Sequence, residues 1–272
     1  MLADEILSRL EILPLENLKM HEQVIPENLD ALREKMLNLG RLVDPLIVDN
    51  KNHIVLDGNH RKQVLEILKA DNAVCQMVDY SSPEIKIGGW HIATNKINPE
   101  DVEGEKTDKA TGIKALQKMD ASFMLISKKG KKEECTLIPS PKKDLHAIAK
   151  SQDEFLKNLF GIENSLTENN HNGHIIFIED SRLEYFLKNG YSVFTRRIFT
   201  KKEVVKEASA GRPLPPKSTR HMIPNRIVRL NFRLGYLNET PANAQILLRE
   251  MVKKRVKYGS ARYYTEPVIV LY

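Results

Sequence analysis

The run His53-Ile54-Val55-Leu56-Asp57-Gly58-Asn59-His60-Arg61 carries the densest local signal for chemistry in the chain. A β-rich segment that ends in Asp-Gly and feeds a helix opening on Asn-His-Arg gathers backbone N–H groups and two basic side chains at one point, which is an anion site. Asp57 beside it could hold Mg2+ or accept a proton, because a carboxylate next to phosphate needs a cation between them. The same residues also fit a plain turn with an Asp cap, a Gly for positive φ and a surface Arg, and spacing alone does not separate the two. A Walker A loop is excluded, since Gly130-Lys131-Lys132 lacks the earlier glycine and the Ser or Thr. His171 and His174 have the spacing of a metal pair, but an Asn-rich loop with no third ligand reads as solvated histidines.

The chain has 272 residues, room for one large or two ordinary domains. With 41% hydrophobic and 29% charged residues, 13 Gly and 13 Pro, it is not collagen-like, a coiled coil or wholly disordered. Its net charge of +6 is unevenly spread. Residues 1–80 carry 9 basic and 14 acidic side chains (net −5), 81–160 carry 14 and 12 (+2), and 161–272 carry 19 and 10 (+9). An acidic N-terminal part that supplies carboxylates and a basic C-terminal part suit a small anionic ligand better than they suit DNA. Cys75 and Cys135 are too few and too far apart for a disulfide framework or a zinc ribbon, so a reducing compartment is expected. Met1-Leu2-Ala3-Asp4-Glu5 lacks a basic leader, and no apolar run approaches the ~20 residues of a membrane span, which points to a cytoplasmic protein.

The elements that must position these residues read as follows. Glu11 to Leu18 is a strand entering a turn, and a helix after Pro26 puts Leu29, Leu32 and Met36 on one face before stopping at Gly40. Pro45–Asp49 and His53–Leu56 form a hairpin around Asn50-Lys51-Asn52, and a helix runs from Asn59 to about Lys69. Strands follow at Ala73–Val78 and Ile85–Ile92, then a polar linker from Thr94 to about Lys109. Beyond it come strands at Ser122–Ser127 and Cys135–Ile138 and a helix at Lys143–Phe160. After an Asn-rich loop at Glu163–Gly173 come a strand at His174–Glu179, a helix at Ser181–Lys188, a strand at Val193–Phe199 and a helix at Lys201–Ala208. Pro213, Pro215 and Pro216 deny regular structure; a strand at Ile227–Phe232, a helix at Ala242–Lys257 and a strand at Val268–Tyr272 complete an α+β protein.

At Asp57–Arg61 the sequence resembles the ParB/sulfiredoxin superfamily, whose nucleotide turn runs strand, Asp/Gly-Gly-x-His-Arg, helix. Sulfiredoxins place a catalytic Cys between the Gly and the His; Asn59 stands there, which argues against sulfinic-acid reduction. The resemblance narrows to the free L-serine kinases on four ordered pieces. Leu18-Lys19-Met20-His21-Glu22-Gln23 is similar to the segment with that family's catalytic glutamate, and Val55–Arg61 to its nucleotide turn. Trp90, in Gly88-Gly89-Trp90-His91, falls where the family has an aromatic residue near the serine pocket. Pro216-Lys217-Ser218-Thr219-Arg220-His221 is similar to its C-terminal substrate and phosphate motif. Arg262-Tyr263-Tyr264-Thr265-Glu266 resembles the end of siderophore-linked bacterial members.

The resemblance implies a ParB/sulfiredoxin-like nucleotide-binding domain over residues 1–95 and an α/β substrate domain over 96–272, with an interdomain cleft. It implies phosphoryl transfer from ATP or ADP to the hydroxyl of L-serine, with Mg2+ bridging phosphates. Glu22 would be the base, since a serine hydroxyl is a poor nucleophile at neutral pH, with Asp57 sharing that role or holding Mg2+. Gly58, Asn59, His60 and Arg61 would hold phosphates, and Trp90, Ser218, Thr219, Arg220 and His221 would meet the substrate. The rival reading is a ParB-like nucleotide-dependent DNA-binding regulator, disfavoured because no helix-turn-helix follows residue 95.

Overall fold

Short apolar runs punctuated by Gly, Pro and Asn give many short elements, which a computed structural model describes for residues 2–130, 132–140, 143–161 and 175–264. The helices are α1 (Leu2–Leu7), α2 (Pro26–Leu39), α3 (Asn59–Ile67), α4 (Lys109–Gln117), α5 (Leu145–Phe160), α6 (Leu183–Lys188), α7 (Lys201–Ser209) and α8 (Pro241–Lys257). The strands are β1 (Leu10–Pro14), β2 (Lys19–Met20), β3 (Arg41–Leu42), β4 (Leu46–Asp49), β5 (Ile54–Asp57), β6 (Asn72–Val78), β7 (Lys86–Gly88) and β8 (Trp90–Thr94). They continue with β9 (Glu105–Thr107), β10 (Ala121–Lys129), β11 (Lys132–Pro139), β12 (Ile176–Glu179), β13 (Ser192–Thr195), β14 (Arg220–Met222) and β15 (Phe232–Arg233). The mixture of strands and helices is the α+β class expected.

By contacts the chain divides into two units, the first made of Met1–Lys19, Leu29–Asp79 and Asn225–Tyr272. Its five-stranded sheet has the order β1-β6-β4-β5-β2. β4 and β5 are the antiparallel hairpin that Asn50-Lys51-Asn52 implies, and β4 pairs with β6 in parallel, Leu46 opposite Cys75. Inner strands buried on both faces read as continuous apolar runs, as Leu46-Ile47-Val48 and Ala73-Val74-Cys75 do. Helix α8 lays Ala244, Leu248 and Val252, four residues apart, on the same core as Val64, Leu65 and Phe232.

The second unit comprises Met20–Asn28 and Tyr80–Pro224. Its six-stranded sheet has the order β12-β8-β13-β10-β11-β9, and β14 pairs with β7, Arg220 opposite Gly88. Asp144 caps α5 by accepting the N–H groups of His146 and Ala147, and Ile148, Gln152 and Leu156 face inward. Phe123, Phe155 and Phe194 meet with ring centroids 5.5 to 5.8 Å apart.

Several expectations change. The division is not a single cut at residue 95, because β8 is an inner strand of the second unit's sheet and residues from Asn225 onward complete the first unit's core. The expected linker from Thr94 to Lys109 contains β9, a polar edge strand paired to β11 at Cys135–Leu137. Of the expected strand Ile227–Phe232 only Phe232 is extended into β15; Asn225, Arg229 and Asn231 have φ of 54°, 54° and 51°, which breaks any ladder. The expected strand at Val193–Phe199 ends at Thr195, and α1 was not anticipated. His171, His174, the loop at Glu163–Gly173 and the strand at Val268–Tyr272 lie outside the described residues.

Candidate active site

In the first unit the hairpin β4–β5 delivers Asp57 to the start of α3. Gly58 caps that helix at φ 100°, and a Cβ there would stand 2.8 Å from both Leu46 Cδ2 and Arg61 Nη2, so the turn requires glycine. Gly58 has no side chain of its own to cap the helix, whose N-terminal dipole favours an anion. Arg61 Nη2 donates to Asp57 Oδ2 at 3.2 Å and to the Pro45 carbonyl at 3.3 Å, while Nη1 lies 3.9 Å from Asp44 Oδ2. Arg226 also donates to Asp57 Oδ2. Sequence reasoning missed Arg226, since nothing in Pro-Asn-Arg-Ile marks it. Asn59 is buried, and His60 is half-buried beside it.

Two guanidinium groups on one carboxylate oxygen suit a phosphate arriving at Asp57 better than a resident cation. Mg2+ takes near-octahedral oxygen ligands, and among the described residues no group of three or more His, Cys, Asp or Glu is arranged to hold a metal. Such an all-protein cage is not what a nucleotide-borne Mg2+ needs: Asp57 would supply one carboxylate ligand beside the phosphates and waters.

The second unit brings together Glu22, Trp90 and the segment 217–221. His21 and Gln23 exchange backbone hydrogen bonds with Leu214, the Leu214 N–H reaching His21 O at 2.8 Å and the Gln23 N–H reaching Leu214 O at 2.7 Å. That pairing sets the Glu22 carboxylate, 15% exposed, against Thr219. Glu22 Oε1 accepts the Thr219 N–H and the Thr219 hydroxyl, both at 2.6 Å. Because the single hydroxyl proton goes to Glu22, His21 Nε2, 2.9 Å from Thr219 Oγ1, must be the donor there. His221 Nε2 lies 2.7 Å from the Tyr80 hydroxyl, and its ring stands edge-on to His21 with centroids 4.9 Å apart.

Trp90 donates its indole N–H to the Thr219 carbonyl at 3.1 Å, and both Lys217 and Arg220 lie over its ring, at 4.9 and 5.6 Å from the centroid. Arg220 is ion-paired with Glu179 at 2.5 Å. Ser218, Thr219 and His221 are buried. Arg196, which sequence reasoning did not single out, ties these pieces: Nε donates to Trp90 O at 2.9 Å and Nη2 to Lys217 O at 3.1 Å. Its backbone N–H donates to His91 Nδ1 at 3.3 Å, so His91 carries its proton on Nε2 and gives it to Asp180 Oδ1 at 2.9 Å. That hydrogen bond holds the Asp180 carboxyl below the usual carboxylate range. Burial pulls Arg196 down to about 10, and the nearby Glu22 charge opposes that shift. Arg196 is thus still a cation at neutral pH.

The expected residues therefore fall into two groups, each assembled within its own unit: Asp57, Gly58, Asn59, His60 and Arg61 in the first, and Glu22, Trp90, Ser218, Thr219, Arg220 and His221 in the second. A cationic turn at a helix N-terminus can hold phosphate, and a carboxylate with an oriented hydroxyl can accept a proton.

No family model matches the chain. It is 25% identical over 239 residues to the ADP-dependent L-serine kinase SerK of Thermococcus kodakarensis, covering 82% of this chain and 90% of that one. It is also 25% identical over 226 residues to the ATP-dependent L-serine kinase of Staphylothermus marinus, covering 78% and 85%. A ParB-like protein of Sulfolobus acidocaldarius is 30% identical over 87 residues, 30% of this chain and 41% of that one. Among solved structures, a free serine kinase mutant in complex with ADP superposes with a TM-score of 0.64 at 23% identity, covering 84% of this chain and 94% of that one. SbnI with a C-terminal truncation, from Staphylococcus aureus, superposes with a TM-score of 0.63 at 15% identity, covering 93% and 99%. Over about four fifths of its length the chain resembles the L-serine kinases in sequence, and it shares the fold of the free serine kinase and SbnI.

Proposed function

We propose that this protein is a free L-serine kinase, transferring a phosphoryl group from ATP or ADP to the serine hydroxyl to give O-phospho-L-serine. The observation that carries the reading is the Glu22 carboxylate held by Thr219, within a cluster that also contains Trp90, Arg220 and His221. Glu22 takes the proton of the substrate hydroxyl as its oxygen bonds to the terminal phosphorus, and the bond from that phosphorus to the bridging oxygen breaks. The Gly58–Arg61 turn, with Arg61 as the guanidinium contact, binds the nucleotide phosphates. Asp57 organises Arg61 and Arg226 for that task. Asp57 would also be the protein ligand of an Mg2+ carried by the nucleotide, which would supply charge neutralisation on the phosphates. Arg220 and His221 face the transferred group.

L-serine and a nucleotide are the partners in this reading. Among the described residues no helix is long and apolar enough to cross a membrane, and a cytoplasmic site of action is part of the same proposal. The ParB-like alternative draws only on a local likeness over 87 residues. The test is an assay for O-phospho-L-serine with purified protein, serine and either ATP or ADP, repeated with Glu22→Ala. Loss of product with that variant supports the base assignment; full kcat refutes it.

A further inference from the structure

We propose that Arg196 is the residue that recognises the α-carboxylate of the amino-acid substrate, and so restricts the reaction to acceptors with a free carboxylate. The proposal rests on the kinase reading for the identity of the reaction, and on the geometry of Arg196 for the rest.

A guanidinium has five N–H donors in a planar fork. In Arg196 the Nε–H is used on the Trp90 carbonyl and one Nη2–H on the Lys217 carbonyl. Nη1 has no hydrogen-bond partner among the described residues, and the half-buried side chain does not seal it off completely from solvent. No carboxylate within the described residues is hydrogen-bonded to this guanidinium. Arg220 differs, since its charge is already matched by Glu179 at 2.5 Å. Arg196 is therefore a rigid cation, fixed through two neutral carbonyls, with open donors of the kind that bind a carboxylate side by side.

Its position suits that task. The two carbonyls it holds belong to Trp90 and to the residue before Ser218, the same pieces that orient Thr219 against Glu22. Glu22 lies within electrostatic reach of it. An acceptor whose hydroxyl meets Glu22 and whose carboxylate meets Arg196 is held at two points, which fixes the attacking oxygen. The backbone is held as well, through the Arg196 N–H on His91 and His91 on Asp180. Arg196 thus sits on a supported frame.

The test compares L-serine with L-serinamide, which keeps the hydroxyl and amine and loses the carboxylate charge, in wild type, Arg196→Lys and Arg196→Ala. Calorimetric binding of each acceptor and of the nucleotide accompanies the kinetics. In wild type serinamide loses ~10–100-fold in kcat/KM, the range of a charge-assisted contact. Arg196→Ala raises the KM for serine by a similar factor with a smaller change in kcat, and brings the serine to serinamide ratio close to one; Arg196→Lys falls between. If Arg196→Ala fails to bind nucleotide because it does not fold, Arg196→Lys decides by the same ratio. An unchanged ratio in the variants overturns the proposal. So does an equal loss of kcat for both acceptors, which would place Arg196 on the phosphoryl group or on the loop alone. Wild type that binds serine better than serinamide, through Arg196, yet makes no phosphoserine sinks the kinase reading and keeps this one. Wild type that phosphorylates serine and serinamide equally does the opposite.

Discussion

Glu22 Oε1 accepts two hydrogen bonds from Thr219, 197 positions further along the chain, one from the backbone and one from the hydroxyl, each at 2.6 Å. In the proposed kinase this contact would aim the carboxylate before any substrate arrives, and a preset base needs no reorganisation in the transition state. Removing the hydroxyl donor with Thr219→Val should lower kcat by roughly tenfold, the weight of one charge-assisted hydrogen bond of about 1.5 kcal/mol, while Thr219→Ser should keep most of it. Steady-state kinetics of the two variants checks this; full activity in Thr219→Val would show that Glu22 does not depend on this contact.

Arg61 and Gly58 should separate binding from folding in the first unit. Arg61→Ala is expected to weaken nucleotide binding by ~10–100-fold in calorimetry, with little change in the KM for serine. Gly58→Ala should instead lower both stability and nucleotide affinity, since the residue is at φ 100° and its new Cβ would meet Leu46 at 2.8 Å. A cost of roughly 1–3 kcal/mol in denaturant unfolding is expected from the strained backbone.

Asp180 gives a pH prediction. His91 donates a hydrogen bond to it and depresses its carboxyl below the ordinary 3.8. A depressed carboxyl contributes stability that is present above the unfolded value and is lost as pH falls through the folded one. The Tm difference between wild type and Asp180→Ala should therefore be constant from neutral pH down to about pH 5 and close below the unfolded value of 3.8. It should be small, because Asp180 is nearly half exposed and solvent screens it. A difference that grows on acidification would contradict the assignment.

The two thiols should be inert in the native protein. Cys75 and Cys135 are both free and buried, and burial pushes both thiols above their usual range, with the Glu11 charge adding to the effect at Cys75. Ellman's reagent should find neither without denaturant and two with it. Rapid native reaction of either would mean that the strand carrying it opens.

The strand–turn–helix at Asp57–Arg61 was legible because it is local: a strand, a Gly at positive φ and a helix follow one another directly in sequence. The β4–β5 hairpin and α8 were readable for the same reason, through turn residues and four-residue spacing. Residues 227–232 were misread because Ile-Val-Arg-Leu-Asn-Phe has strand composition, while Asp44 accepts the Arg229 N–H at 2.6 Å and the Val43 carbonyl accepts the Asn231 N–H at 2.8 Å. Those partners are about 185 residues away and turn the chain into left-handed conformations. Arg196 was invisible because Thr-Arg-Arg after a strand looks like any solvated end; only the carbonyls of Trp90 and Lys217 give it a role. Glu22 could be placed only through a resemblance, since its partner Thr219 is distant in sequence.

The most direct measurement is the formation of O-phospho-L-serine by the purified protein with L-serine and ATP, and separately with ADP. Phosphoserine with at least one donor, falling by ~10²–10⁴-fold in kcat for Glu22→Ala, is the result expected of a general base. No phosphoserine with either donor, from protein that is folded and binds nucleotide, would contradict the kinase assignment outright.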